Sequence, residues 1–319
     1  MTTIAPATKI TRQPGGALEH GAPRLVRGRR LAWRILSVAL EVVLYIGLSI
    51  AIVTTPDAIK PLASAGLALV IGRLFMRGHD ACHGTLFASP LANRVAGRLL
   101  FLPSYTAYRL WDLAHNRIHH AFTHFRALDY MWRPMSPARF RSATPWRRAL
   151  ERAYRTIPGH GLYYFCEIYC RKLIVPSRRF VPEHRAAYWR DTLAVGGFLA
   201  LQLGFYVTAA VITRQNIAWV VATALLLPFV LWNAMMGSAT FLCHTDPGSA
   251  WFDDLDEWHA ASPKLHDTVC LMPEVLLDAS RRCKLYDYDA HRWLDFEGHV
   301  TAEIGRVERA DAMTTHSRW

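Results

Sequence analysis

No Cys-x-x-Cys pair occurs among the six cysteines (Cys82, Cys166, Cys170, Cys243, Cys270 and Cys283). That absence removes the spacings of haem attachment and of a four-cysteine cluster, so no cytochrome or ferredoxin is fused into the chain. No cleavable secretory signal is expected either, and free thiols in a reducing compartment are the reading that follows. Acidic side chains are few, 25 against 37 Lys and Arg, giving a formal charge of +12. The basic residues are scattered and carry no nucleic-acid module signature, so nucleic acid is not the expected partner. Anionic headgroups on the cytoplasmic face of a bilayer fit that charge better.

Hydrophobic residues make up 52% of the 319 positions, and the mean hydropathy is positive, a composition that favours a membrane class. Residues 1–30 read as a mobile basic tail ending in a collar of Arg24, Arg27, Arg29 and Arg30. Four apolar runs follow, near 35–54, 60–78, 192–213 and 217–242. At about 1.5 Å per residue such runs cross a roughly 30 Å hydrocarbon layer, the second only if it continues towards His79. Short polar breaks pair them into two hairpins. Lys and Arg crowd the N-terminal tail and the segment 121–190, so both termini and both histidine clusters are expected on the cytoplasmic side. Between the hairpins, a cytoplasmic cap of amphipathic helices is expected, with Trp132, Trp146, Tyr163, Tyr164, Tyr169 and Trp189 at headgroup depth. Glu41, inside the first run, either snorkels or faces the bundle. The expected fold is thus an all-α integral membrane protein: four transmembrane helices in two hairpins, a domain over 31–300, and a C-terminal tail from 301 to 319.

The 15 histidines are not spread evenly. His79 and His83 stand one helical turn apart, as do His115 and His119, the spacing that lets two side chains reach one ion. His120 points roughly 100° further round. Neutral rings shared with metal are the economical account of five histidines at one membrane face, because protonated rings would repel one another. Imidazole suits zinc, copper, iron and nickel alike. A zinc peptidase would place Glu beside the first histidine, where this chain has Asp80. Five rings also exceed what one tetrahedral zinc needs, which favours a dinuclear site.

Three stretches carry a resemblance. Gly78-His79-Asp80-Ala81-Cys82-His83-Gly84, His115-Asn116-Arg117-Ile118-His119-His120, and Phe241-Leu242-Cys243-His244-Thr245-Asp246-Pro247 resemble the histidine boxes and flanks of the membrane fatty acid desaturase family. Asp129-Tyr130-Met131-Trp132-Arg133-Pro134 and Gly161-Leu162-Tyr163-Tyr164 are similar to its bacterial acyl-lipid members. The resemblance spans about Arg30 to Pro273. It implies a non-haem di-iron centre that uses O2 and two electrons to remove two hydrogens from an acyl chain. It also implies a membrane lipid or acyl-chain substrate and a separate electron donor of ferredoxin, flavodoxin or cytochrome b5 type. Matched position by position, the iron ligands would be His79, His83, His115, His119, His120, His244 and His291, with Asp80 and Asp112 as candidate partners for ring N–H groups.

The third box departs from the family pattern. Where His-x-x-His-His is expected the chain reads Tyr288-Asp289-Ala290-His291-Arg292, and Cys270 stands where a histidine is common. Arg292 is a cation and does not coordinate iron. A damaged end, a rearranged site using His299, His266 or Asp289, and a catalytically inactive relic that binds lipid or metal are the readings this leaves. A lipid or carotenoid hydroxylase or ketolase is the alternative reaction on the same fold.

Overall fold

The computed structural model describes residues 24–178, 180, 181, 185–261 and 273–303. Most of the two expected tails, together with His266 and Cys270, lies outside the described residues.

The described chain is mostly helical. Helix α1, Arg24–Thr54, runs without a helix breaker until Pro56, and its apolar side chains stand bare on the outside, Leu36 at 58% and Val43 at 64% exposure. Such a surface is stable where the solvent is lipid. Helix α8, Arg185–Ile212, does the same. Together with Ile217–His244 these are the three helices among the described residues long and apolar enough to cross a membrane. The last of them starts as α9, Ile217–Val221, passes a π-helical turn at Ala222–Leu226 and continues as α10, Leu227–His244.

Helix α2, Lys60–Cys82, was expected as a fourth span but is not among those three helices. It carries Lys60, Arg73, Arg77 and Asp80, and packs between α1, α10 and α3, Pro90–Phe101. Glu41 faces the bundle, 2% exposed, and accepts from Nη2 of Arg73 at 2.6 Å. Close approach is built in by glycine. A Cβ on Gly78 would lie 2.5 Å from the Phe101 ring, and one on Gly237 would lie 2.2 Å from the His160 carbonyl oxygen. The first brings α2 against α3 directly under the first histidine pair.

Helix α4, Tyr108–Trp111, runs on as a π-helical stretch, Asp112–His119. The segment after it holds α5, Pro137–Ser142, α6, Pro145–Tyr154, and α7, Gly159–Tyr163, which continues as a second π-helical stretch, Tyr164–Leu173. Ser136 and Thr144 cap α5 and α6 by accepting from backbone N–H groups. Here the expectation for the aromatics needs correction. Trp132, Tyr163, Tyr164 and Tyr169 are buried core residues, and the Trp132 and Tyr163 rings stack at 3.8 Å. Burial of such rings contributes about 1.5–3 kcal/mol each, more than an interfacial position offers them. Trp146 alone of that group is widely exposed, at 75%.

After α11, Leu255–Ala261, and α12, Pro273–Arg282, a three-stranded antiparallel sheet follows: β1, Leu285–Asp287, β2, Arg292–Leu294, and β3, Val300–Glu303. It amends the all-α expectation. Leu285 pairs with Leu294, and both pack on Met135 and Phe140. The β1–β2 turn carries the third-box positions.

Candidate metal centre

Helix α2 delivers His79 and His83, and the π-helical stretch after α4 delivers His115 and His120. Their Nε2 atoms converge: His79 to His115 at 2.9 Å, His79 to His83 at 3.1 Å and His115 to His120 at 3.0 Å. One nitrogen from each of the four rings lies within 4.8 Å of the others. Nitrogens about 2.1 Å from one ion stand roughly 3.0–3.4 Å apart, so the spacing is that of a coordination shell. With the hydrogen of each neutral ring on Nδ1, the four Nε2 lone pairs point at one another, which a cation between them relieves. Burial first, and then the neighbouring rings of His120, His79, His119 and His83, hold His115 far below the usual imidazole range. The donor set therefore fits a resident metal.

The pairing in the second box differs from the one-turn reading. In a π-helix the backbone N–H bonds five residues back, and the His120 N–H donates to the His115 carbonyl at 2.9 Å. That widened turn brings His120, not His119, alongside His115. His119 is turned to the other side, where its Nδ1 meets Asp129 Oδ1 at 3.0 Å. Asp129 is fully buried and also accepts from the backbone N–H groups of His124 and Met131. The His119 ring packs edge-on against His244, centroids 4.6 Å apart, and Nδ1 of His244 lies 3.4 Å from Nε2 of His124. His119 and His244 thus form a second pole beside the four-nitrogen group.

Asp129 and His124 are the residues the sequence reading missed as ring partners. Of the two aspartates proposed instead, Asp80 lies 3.7 Å from Nδ1 of His79, and Asp112 meets Arg117, Asn116 and Cys82. His124 has φ of +63°, a left-handed conformation, and stacks on Trp251. Nothing in its sequence spacing marks it, because a loop reversal rather than a helical period brings it to His244.

The third-box positions are placed elsewhere. His291 has φ of +46°, with Nε2 3.5 Å from Glu257 and Nδ1 3.3 Å from the Tyr286 hydroxyl, and is outside the four-nitrogen group. Tyr288 is buried and donates its hydroxyl to the Pro134 carbonyl at 2.8 Å, while the Arg126 guanidinium covers its ring. Arg292 pairs with Asp287 at 3.1 Å. Of the alternative ligands, His299 is exposed and paired with Asp295, and Asp289 is exposed.

Fold and site define a class: a helical protein with membrane-length apolar helices and a polyhistidine cluster, able to hold a metal, where its helices meet. Residues 59–271 match the sequence pattern of the fatty acid desaturase family, and the chain belongs to that family. It is 28% identical over 240 residues to the chloroplastic omega-6 fatty acid desaturase of Brassica napus, covering 75% of this chain and 51% of that protein. It is 28% identical over 190 residues to the sn-1 acyl-lipid omega-3 desaturase (ferredoxin) of Synechocystis sp., covering 58% and 50%. With the sn-1 oleoyl-lipid 12-desaturase of Arthrospira platensis it shares 23% identity over 246 residues, 76% and 66% of the two chains. The chain spans about half the length of the first two.

Proposed function

We propose that the chain is an O2-dependent di-iron desaturase that introduces a double bond into a fatty acyl chain of a membrane lipid. The observation that carries this reading is the convergence of four imidazole nitrogens beside membrane-length helices. The names of the relatives support the lipid-linked substrate. An unactivated methylene has no acidic proton for a side-chain base to take, so a redox metal is required. Iron, when bound, would supply that oxidation with O2, two protons and two electrons from a separate ferredoxin, flavodoxin or cytochrome b5-type donor, two hydrogens leaving the chain as O2 becomes two waters.

The protein's own residues do the rest. His79, His83, His115 and His120 would hold one ion; His119 and His244 would reach the second, with Asp129 fixing the His119 tautomer and His124 aligning His244. His291 stands outside this set, because Glu257 and Tyr286 face both its ring nitrogens. Trp111 stacks on His115 at 4.6 Å, Phe75 meets Trp111 at 4.8 Å, and Trp232 meets Phe75 at 4.6 Å. This wall keeps water from one side of the centre. Trp232 also lines a largely apolar recess of about 490 Å3 with Met76, Met235 and Met236, which gives an acyl chain a place between α2 and α10. In this reading α2 completes a four-helix, two-hairpin membrane domain over 31–300, with the histidines, the cap and both termini at the cytoplasmic side of a bacterial inner membrane.

The test is lipid profiling of a heterologous host grown with and without O2, for the wild type and for His115→Ala. The reading predicts a new unsaturated acyl species only with the wild type in air. A profile equal to the empty vector from a protein that retains iron would replace it with the inactive metal-binding reading, which the fixed places of Tyr288 and Arg292 favour.

A further inference from the structure

A cavity lies in the segment after the second histidine box, outside the four-histidine group. It has a volume of about 810 Å3, within the range of small-ligand sites, and its wall carries Arg133, Arg139, Arg147, Arg171 and Lys172 against two acids, Glu151 and Glu167. Both acids are already engaged. Glu167 takes Arg147 at 2.6 Å and Arg171 at 3.2 Å, and Glu151 takes Arg147 at 3.5 Å and Arg155 at 3.1 Å. Arg133, Arg139 and Lys172 have no carboxylate partner among the described residues.

We propose that this cavity binds a phosphate-bearing ligand, with Arg133, Arg139 and Lys172 as the cations that meet its charge. Lys172 is half-buried, its ammonium 4.3 Å above the Phe180 ring and 5.2 Å above Tyr130. Burial, and after it the charges of Arg133 and Arg171, lower its pKa, as expected where cations crowd without an anion. A phosphate group relieves that crowding and accepts several charge-assisted hydrogen bonds at once. The concavity favours a small ligand over a docked acidic protein. Tyr130, which lines the cavity, follows Asp129, the residue that holds His119. The polar head of the acyl lipid is one source of such a phosphate and a free phosphoester the other. Assignment to the lipid head rests on the proposed desaturase reading; the anion site does not.

The test is calorimetric titration of the purified full-length chain, which requires neither iron nor O2, so its failure is separate from that of the desaturase reading. The probes are inorganic phosphate, dihexanoylphosphatidylglycerol and, as an uncharged control, dihexanoylglycerol. The phospholipid probe binds if the source is a lipid head, and inorganic phosphate alone binds if it is a free phosphoester. Either supports the site when affinity falls about tenfold on each of Arg133→Gln, Arg139→Gln and Lys172→Gln. Arg141→Gln, on α5 but outside the cavity wall, leaves it unchanged. Exposed Arg139 provides the variant least able to disturb folding, and melting temperatures verify the others. Binding of neither anionic probe, equal binding of dihexanoylglycerol, or variants no weaker than Arg141→Gln would overturn the proposal. So would a salt-sensitive complex with an acidic ferredoxin that these variants weaken while both anionic probes fail.

Discussion

The two regions expected to share the metal have opposite polar accounts. Around residues 79–120 four ring nitrogens converge, linked by three contacts of 2.9–3.1 Å and all within 4.8 Å of one another, with no carboxylate among them, an arrangement that makes sense around a cation. At the β1–β2 turn the polar groups already have partners: Tyr288 with Pro134, Arg292 with Asp287, His291 with Glu257 and Tyr286. The difference teaches that the third-box substitutions are built into a packed hairpin, rather than leaving a gap where ligands once stood. It also predicts that the two regions answer differently to mutation.

The largest effect belongs to the centre of the cluster. His115→Ala, which removes the ring shared by two of the close nitrogen contacts, is expected to lose the bound metal. Its loss of activity exceeds the roughly 100-fold that changes behind a ligand reach; metal analysis and lipid profiling check both. Next comes acid stability, set where α7 packs on α10. Burial, followed by the charges of Arg155 and Lys284, lowers the pKa of His160 to about 3. The folded state keeps this ring neutral while the unfolded state protonates near the ordinary imidazole value of 6.5. Its contribution is therefore full above that value and is lost progressively as pH falls towards about 3. From pH ~6.5 to ~4.5 the loss is about 2 kcal/mol, and His160→Phe should flatten the corresponding fall in melting temperature. A wild-type midpoint no more acid-sensitive than that variant would contradict this.

Asp129→Asn follows, removing the carboxylate behind His119, with about a 10–100-fold weaker hold on metal read by chelator competition. The smallest effect is in the hairpin. Tyr288→Phe forfeits one buried hydrogen bond and costs about 1 kcal/mol of stability without changing metal content. Lower metal content in Tyr288→Phe would erase the contrast between the regions.

Much of the fold was legible because hydropathy runs and i, i+4 spacing survive directly in sequence. The 35–54 run and the two late runs became helices of membrane length, and the His79/His83 pair sits as one helical turn predicts. The second box was legible as a set but not in its pairing. Whether a helix continues as α or widens to π depends on tertiary packing around Asp112–His119, and that choice exchanges His119 for His120 beside His115. Asp129 and His124 act through a loop reversal that no period encodes. Strands of three or four residues at 285–303 are too short for alternation to stand out. Trp132 and Tyr163 look like interfacial aromatics by composition, and their burial and mutual stacking show them to be core.

The most direct test of the central claim, that this chain holds a di-iron centre without a regular third box, is the metal stoichiometry of the purified full-length protein. The account predicts about two irons per chain in the wild type and none retained in His115→Ala. A wild-type protein that carries only zinc, or no metal, when produced with ample iron would contradict it.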